Sequence, residues 1–258
     1  MIVTFVHHSC FVAETDERVL IFDYFKNGRV KGYNFTGVLP EFDKSKPLYV
    51  FASHAHQDHF DPEIFKWADA YEKIHYILSK DIRRCGAYPK GNKTAALEKE
   101  KITFVQPDKH YEVDDMEIKT LRSTDAGVAF LIHMENKTIY HAGDLNLWKW
   151  DGAGDLVNGK EVREYRRAIH KLEDDKIDVA FVPLDSRQKK YAEDGLFYFM
   201  EHVNAKVIFP MHMWQDYSCI ASFKSKISNG AFAARVVDIS GENESYEILD
   251  APQKGANL

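Results

Sequence analysis

The apolar run Leu48–Ala52 stops at Ser53-His54-Ala55-His56-Gln57-Asp58-His59-Phe60-Asp61. The run is short and bounded, as a buried strand is. It therefore belongs in a core, and the histidine-rich segment must open as a loop at the strand end. Loops of this kind, held by a rigid scaffold, are where binding and catalytic groups are mounted. A fold for this chain has to deliver that loop to an accessible edge.

The spacing has its own logic. In extended chain, side chains two apart point the same way, so His54 and His56 can converge on one cation. Asp58 and His59 follow where the chain begins to turn, and Asp61-Pro62 reads as a helix start. They can face a second position beside the first. One or two histidines in a loop would be surface or capping residues. Four ligand-type side chains at this spacing favour a metal site, and two neighbouring cations would activate a shared water.

With those residues in view, the chain resembles the metallo-β-lactamase superfamily. His54-Ala55-His56-Gln57-Asp58-His59 matches its His-x-His-x-Asp-His signature. Asp144, in Tyr140-His141-Ala142-Gly143-Asp144, falls where the family places a bridging aspartate after a strand. His212, in Ile208-Phe209-Pro210-Met211-His212, falls where it places the last histidine of the second metal site. The resemblance runs from the first strands to beyond His212. It implies an α/β fold, the four-layer αββα sandwich, with two sheets face to face and metals at their shared edge. It also implies one or two divalent metal ions, zinc first, with manganese or iron acceptable to mixed nitrogen and oxygen ligands.

The chain departs from that pattern in one place. Most members supply a histidine between the first motif and the bridging aspartate, and residues 122–130 contain none. Asp125 is the best substitute, since a carboxylate is an acceptable ligand. Its other reading is a turn residue before Gly127, capping local backbone. In that case the first site would hold only His54, His56 and solvent.

Periodicity outlines the remainder. Strands are expected at 2–6, 10–13, Val19–Phe22, 75–78, Ile102–Val105, 117–121, 128–133, 138–141, 179–182 and 207–209. Helices are expected at 62–71, 159–173, 196–202 and 220–227. In 159–173, Val162, Tyr165, Ile169 and Leu172 fall at helical spacing, with Arg163, Arg166, Arg167 and Lys171 on other faces. Interleaved acidic residues make it a surface helix rather than a nucleic-acid binder. Strands first, then strand and helix in alternation, suit the sandwich.

The 258 residues, 45% of them hydrophobic, suffice for one domain spanning 1–258. A net charge of −6 with both signs interspersed makes nucleic acid an unexpected partner. The three cysteines, Cys10, Cys85 and Cys219, lack CxxC spacing and read as reduced thiols. The first residues carry no basic leader, and no run approaches a membrane span, so a cytoplasmic protein without a membrane partner is expected.

Several residues around the motif are secondary candidates. His7 or His8, at a strand end, could contact substrate or lie at the surface. His141 and Asp23 could orient a ligand from behind. Arg187 could bind an anionic group of the substrate, with Lys189 or Lys190 adding charge, unless the loop is simply solvated. Trp148, Trp150 and Trp214 could wall a pocket or serve as packing.

The expected activity is hydrolysis of a small-molecule ester, lactone or phosphodiester by metal-activated water, with Asp58 binding metal and orienting the nucleophile or accepting its proton. The resemblance is nearer the branch that includes ascorbate-6-phosphate lactonase than the antibiotic-degrading lactamases. A nuclease is the alternative enzyme, disfavoured by the missing basic surface. A metal-binding sensing protein without turnover is the non-enzymatic alternative. A di-iron flavoprotein role fits less well, because those members carry an acidic residue where this chain has His56 and append a flavin domain.

Overall fold

The computed structural model of the protein describes residues 1–227 and 230–249. In chain order its strands are β1 (Ile2–His7), β2 (Cys10–Glu14), β3 (Val19–Phe22), β4 (Leu48–Ala52), β5 (Ile74–Ser79), β6 (Ile102–Val105), β7 (His110–Val113), β8 (Met116–Arg122), β9 (Val128–Met134), β10 (Lys137–His141), β11 (Lys176–Pro183), β12 (Asn204–Met211) and β13 (Glu244–Glu247). The helices are α1 (Asn92–Glu100), α2 (Asp155–Ile169), α3 (Asp194–His202), α4 (Ser218–Ser225) and the short α5 (Gly230–Ala233).

The strands form two sheets, ordered β13-β1-β2-β3-β4-β5-β6 and β12-β11-β10-β9-β8-β7. In the first, β1 to β3 and β13 pair antiparallel, whereas β3 to β6 run parallel. In the second, β10, β11 and β12 are parallel and β7 to β10 antiparallel. Alternation along each strand divides the core. Tyr49 and Phe51 of β4 join the cluster between the sheets, while Leu48, Val50 and Ala52 join an outer cluster with Phe65 and Tyr76. Phe11 meets Phe181 across the sheets at 4.2 Å between ring centres, and Phe51 meets Phe130 at 5.2 Å. On the outer face of the second sheet, Tyr140 of β10 stacks on Phe199 of α3. Two face-to-face sheets with helices outside are the expected αββα sandwich.

The segment expected as a helix at 62–71 is a run of 3-10 turns, Pro62–Asp69, started by the Asp61 carboxylate accepting from Glu63 N–H. The surface helix α2 begins at Asp155, earlier than the apolar stripe indicates, because Leu156 and Val157 face outward rather than into the core. At one end of the sandwich, Arg18 in the β2–β3 turn bonds Asp115 of the β7–β8 turn and Glu135 of the β9–β10 turn. At the other end, β3, β4, β10, β11 and β12 all finish on one edge, and their C-terminal loops carry the polar cluster described next. Among the described residues, no helix is long and apolar enough to cross a membrane.

Candidate metal centre

Asp23, at the end of β3, organises the loop after β4. Its carboxylate accepts from Ser53 N–H and Ser53 Oγ–H, both at 2.7 Å, and from His59 Nδ1–H at 2.7 Å. Because the serine proton goes to Asp23, Ser53 Oγ is left to accept from His54 Nδ1 at 2.9 Å. One carboxylate thus fixes the tautomer of two imidazoles and turns both Nε2 lone pairs outward, as the outer partners of metal-binding histidines do. His212, after β12, has its own such partner, Asp185, which accepts from its Nδ1 at 3.0 Å.

Two groups of side chains result. His54, His56, Asp125 and Asp144 form the first, and His8, Asp58, His59 and His212 the second; within each, the ligand-type atoms lie within 4.8 Å of one another. Asp144 joins them: Oδ2 is 3.4 Å from His54 Nε2, while Oδ1 is 3.2 Å from His59 Nε2 and 3.3 Å from His212 Nε2. Asp58 Oδ2 lies 3.4 to 3.8 Å from His8, His59 and His212. The structure therefore brings together His54, His56, Asp58, His59, Asp125, Asp144 and His212.

Asp125 lies with the ligand-type groups of the first position. In its turn the hydroxyl of Ser123 accepts from Asp125 N–H, and the Asp125 carboxylate lies 3.6 Å from His56 Nδ1. Gly127 makes this approach possible. Its φ is +64°, and a Cβ there would fall 2.0 Å from the Ser53 carbonyl oxygen and 2.6 Å from His54 Cβ. Val128 N–H closes the contact by donating to that same carbonyl at 3.0 Å.

The donor set fits divalent cations. His59 Nε2, His212 Nε2 and Asp144 Oδ1 are buried and have no hydrogen-bond partner in the protein, a cost of about 1–3 kcal/mol each unless something else coordinates them. Burial alone would raise the Asp144 carboxyl, but the imidazoles of His59, His212 and His54 hold it well below the usual carboxylate range. Burial likewise opposes ionisation of Asp58, which His59, His8 and His212 overcome. Both carboxylates are thus charged and ready for cations.

His141 lies behind the centre, on the turn before Asp144. Its Nε2–H donates to the Ser9 carbonyl and its Nδ1 accepts from Gly143 N–H, so it shapes the turn that presents Asp144. Arg187 reaches the cleft, but its Nε–Nη2 edge is taken up by Asp185 at 2.6 to 3.1 Å and its guanidinium lies 4.0 Å over the Trp214 ring. One bidentate edge of the guanidinium is therefore engaged by Asp185, and the Nη1–Nη2 edge is left for an anionic group. Lys190 pairs with Asp151. His8 and Asp185 were the residues that sequence reasoning did not place in the centre. For His8 the one signal was a histidine ending a strand; Asp185 had none.

Over the centre lies a cleft of about 440 Å³, lined by Trp148, Trp150, Val157, Glu161, Arg187 and Trp214 above the polar floor. The indoles of Trp148 and Trp150 are parallel, 6.2 Å apart.

Paired histidine and carboxylate positions at the strand ends of an αββα sandwich define a metallo-hydrolase architecture. The chain belongs to the metallo-β-lactamase superfamily: the family described as "Beta-lactamase superfamily domain" matches residues 2–149. It is similar to the metal-dependent hydrolase YtkL of Bacillus subtilis, 27% identical over 219 residues, covering 82% of this chain and 85% of the relative. A metal-dependent hydrolase of Methanospirillum hungatei is 25% identical over 215 residues, covering 82% of each chain. Among solved structures, the metallo hydrolase Igni18 of Ignicoccus hospitalis shares the fold with a TM-score of 0.63 at 18% identity, covering 95% of this chain and 98% of its own. An isothiocyanate hydrolase from Delia radicum gut bacteria shares it with a TM-score of 0.55 at 15% identity, covering 96% and 98%.

Proposed function

We propose that the protein is a metal-dependent hydrolase of small molecules, acting on an ester or lactone ahead of a phosphodiester. The observation that carries this reading is the convergence of unpartnered lone pairs from His59, His212 and Asp144, of which His212 and Asp144 line the cleft. Names given to relatives support it, since YtkL and its kin are called metal-dependent hydrolases.

His54, His56, Asp125 and Asp144 would hold one cation, and Asp58, His59, His212 and Asp144 the other. Cations held by these residues would supply a water of lowered pKa, from about 16 to about 7, and would polarise the bond to be cut. Asp58, at the cleft floor, orients the attacking water and accepts its proton. Trp148, Trp150 and Trp214 offer the substrate apolar walls. Trp150, Leu156 and Val157 continue them outward as exposed apolar surface.

Charge on the cleft wall, apart from the cations at its floor, favours a neutral substrate. Arg187 is the one lysine or arginine among the lining residues and is neutralised by Asp185, whereas Glu161 Oε2 is buried without a partner. A polyanion would meet little to replace its counterions. A lactone substrate is compatible with the lactonase-like branch expected from sequence.

The test is metal content per chain, measured on protein purified without chelator, followed by turnover of matched ester, lactone and phosphodiester panels. About two equivalents with preference for esters or lactones is the expected result. Full metal loading without turnover of any panel member would overturn the hydrolase reading in favour of a metal-binding sensor.

A further inference from the structure

Of the imidazoles at the centre, His8 is the one that no motif predicts. It occupies the two-residue turn between β1 and β2, with a left-handed φ of +48°, a conformation that such hairpin turns require and that residues other than glycine adopt at a cost. The turn is held against the end of β12, where His212 N–H donates to the His8 carbonyl at 3.1 Å. This geometry puts the His8 ring inside the centre, wholly out of solvent.

Both of its ring nitrogens are buried and neither has a hydrogen-bond partner. A histidine retained for packing alone would satisfy at least one nitrogen, because an unpaired buried polar atom costs about 1–3 kcal/mol. Its ring is fixed by other rings: His212 at 4.3 Å, Trp214 at 4.5 Å, Phe35 at 5.3 Å and Phe25 at 6.0 Å between centres. The aromatic box does for His8 what Asp23 and Asp185 do for His59 and His212. Its Nδ1 is buried among these rings without a hydrogen-bond partner. Nε2 points toward Asp58, 3.4 Å from Oδ2, a distance long for a hydrogen bond and ordinary for two ligands of one ion.

We propose that His8 is a ligand, through Nε2, of the second cation, which is then held by His8, Asp58, His59, His212 and the shared Asp144. This rests on the metal-dependent reading above. It makes the two positions unequal. The second is enclosed by five buried or nearly buried side chains. The first has four, of which His56 and Asp125 are about half exposed, with side-chain exposures of 54% and 48%. The first position is the one with room for solvent and substrate, and the second is an anchor.

The competing role for His8 is a hydrogen bond to Asp58 that merely positions it. Two variants separate the roles. His8→Phe keeps a ring in the aromatic box, and His8→Gln keeps a side chain N–H for Asp58. Cation affinity is read by chelator competition with zinc, and bound imidazoles are counted from the paramagnetically shifted ring N–H signals of the cobalt-loaded protein.

If His8 is a ligand, the tightly held equivalent weakens in both variants by more than the roughly 10–100-fold that loss of an outer hydrogen bond costs. The cobalt protein then loses one shifted imidazole signal in each. Recovery of affinity in His8→Gln, or an unchanged signal count, would overturn the proposal and leave a positioning residue. Less than one equivalent bound by the unaltered protein would overturn the metal-dependent reading itself, and the assignment of His8 with it. Melting of the metal-free forms shows whether each variant still folds.

Discussion

His212 donates through Nδ1 to Asp185 Oδ2 at 3.0 Å, and the same carboxylate receives Trp214 Nε1–H at 3.2 Å and the Arg187 guanidinium at 2.6 Å. One buried anion thus ties a histidine of the centre to two residues of the cleft wall. Burial alone would raise its pKa, but the bonds from His212 and Arg187 bring it down to about 2. Asp185→Asn removes the charge while nearly keeping the shape. The expected outcome is a cation affinity reduced about 10–100-fold and release of Arg187. Chelator competition checks it, and an unchanged affinity would mean that His212 is held by its ring neighbours instead.

Asp125 stands where the family resemblance leads one to expect a histidine, and its carboxylate lies 3.6 Å from His56 Nδ1. Asp125→Ala is expected to lower metal content from about two equivalents to about one. Asp125→His should restore the second. Gly127→Ala should act like the alanine variant and also destabilise the fold, since its Cβ would collide with the Ser53 carbonyl. Metal analysis of the three purified variants decides the matter; two equivalents in Asp125→Ala would remove Asp125 from the ligand set.

A pH dependence of stability follows from His7, which is wholly buried with Nε2–H donating to the Phe25 carbonyl at 2.9 Å. Burial lowers its pKa from 6.5 to about 4. The folded state therefore holds it neutral while the unfolded state takes up a proton below pH 6.5, so stability is full above that pH and is lost as pH falls toward 4. The shift corresponds to about 3 kcal/mol. His7→Phe should be less stable at pH 7, because the Phe25 carbonyl loses its donor. Its deficit relative to the unaltered protein should shrink by most of that amount on acidification to pH 4.5. Urea melts at pH 7 and pH 4.5 measure both; a constant deficit would show that His7 does not titrate in this window.

Arg18 acts at the opposite end of the sandwich. Its guanidinium, 6% exposed, takes Asp115 in a two-pronged contact and Glu135 through Nε at 2.6 Å, joining turns from both sheets. Arg18→Met is expected to cost about 2 kcal/mol, less than a fully buried pair would, because Asp115 can return to water. Metal content should be unaffected. A cost below about 0.5 kcal/mol would place Arg18 with ordinary surface ion pairs.

The strands were largely legible because they are short apolar runs between turn residues; Val19–Phe22, Leu48–Ala52 and Ile102–Val105 fall where periodicity puts them. What escaped lacks that contrast. In β7, His-Tyr-Glu-Val has only Val113 buried, α1 buries only Thr94, and β13 alternates half-buried with exposed residues at a sheet edge. The centre was legible where ligands lie close in sequence, as in His54 to His59. Asp185 and His8 are joined to it only by the fold, one through a hydrogen bond to His212 and the other through a hairpin turn, and neither relationship leaves a local pattern.

His8, Asp23 and His212 all have left-handed backbone, with φ of +48°, +45° and +61°. Each such residue costs on the order of 1 kcal/mol, met by the surrounding structure as the chain folds. The cage is therefore drawn to a fixed radius before any ion arrives. An ion bound there would have little chain to order, so less of its binding energy would go into arranging the ligands.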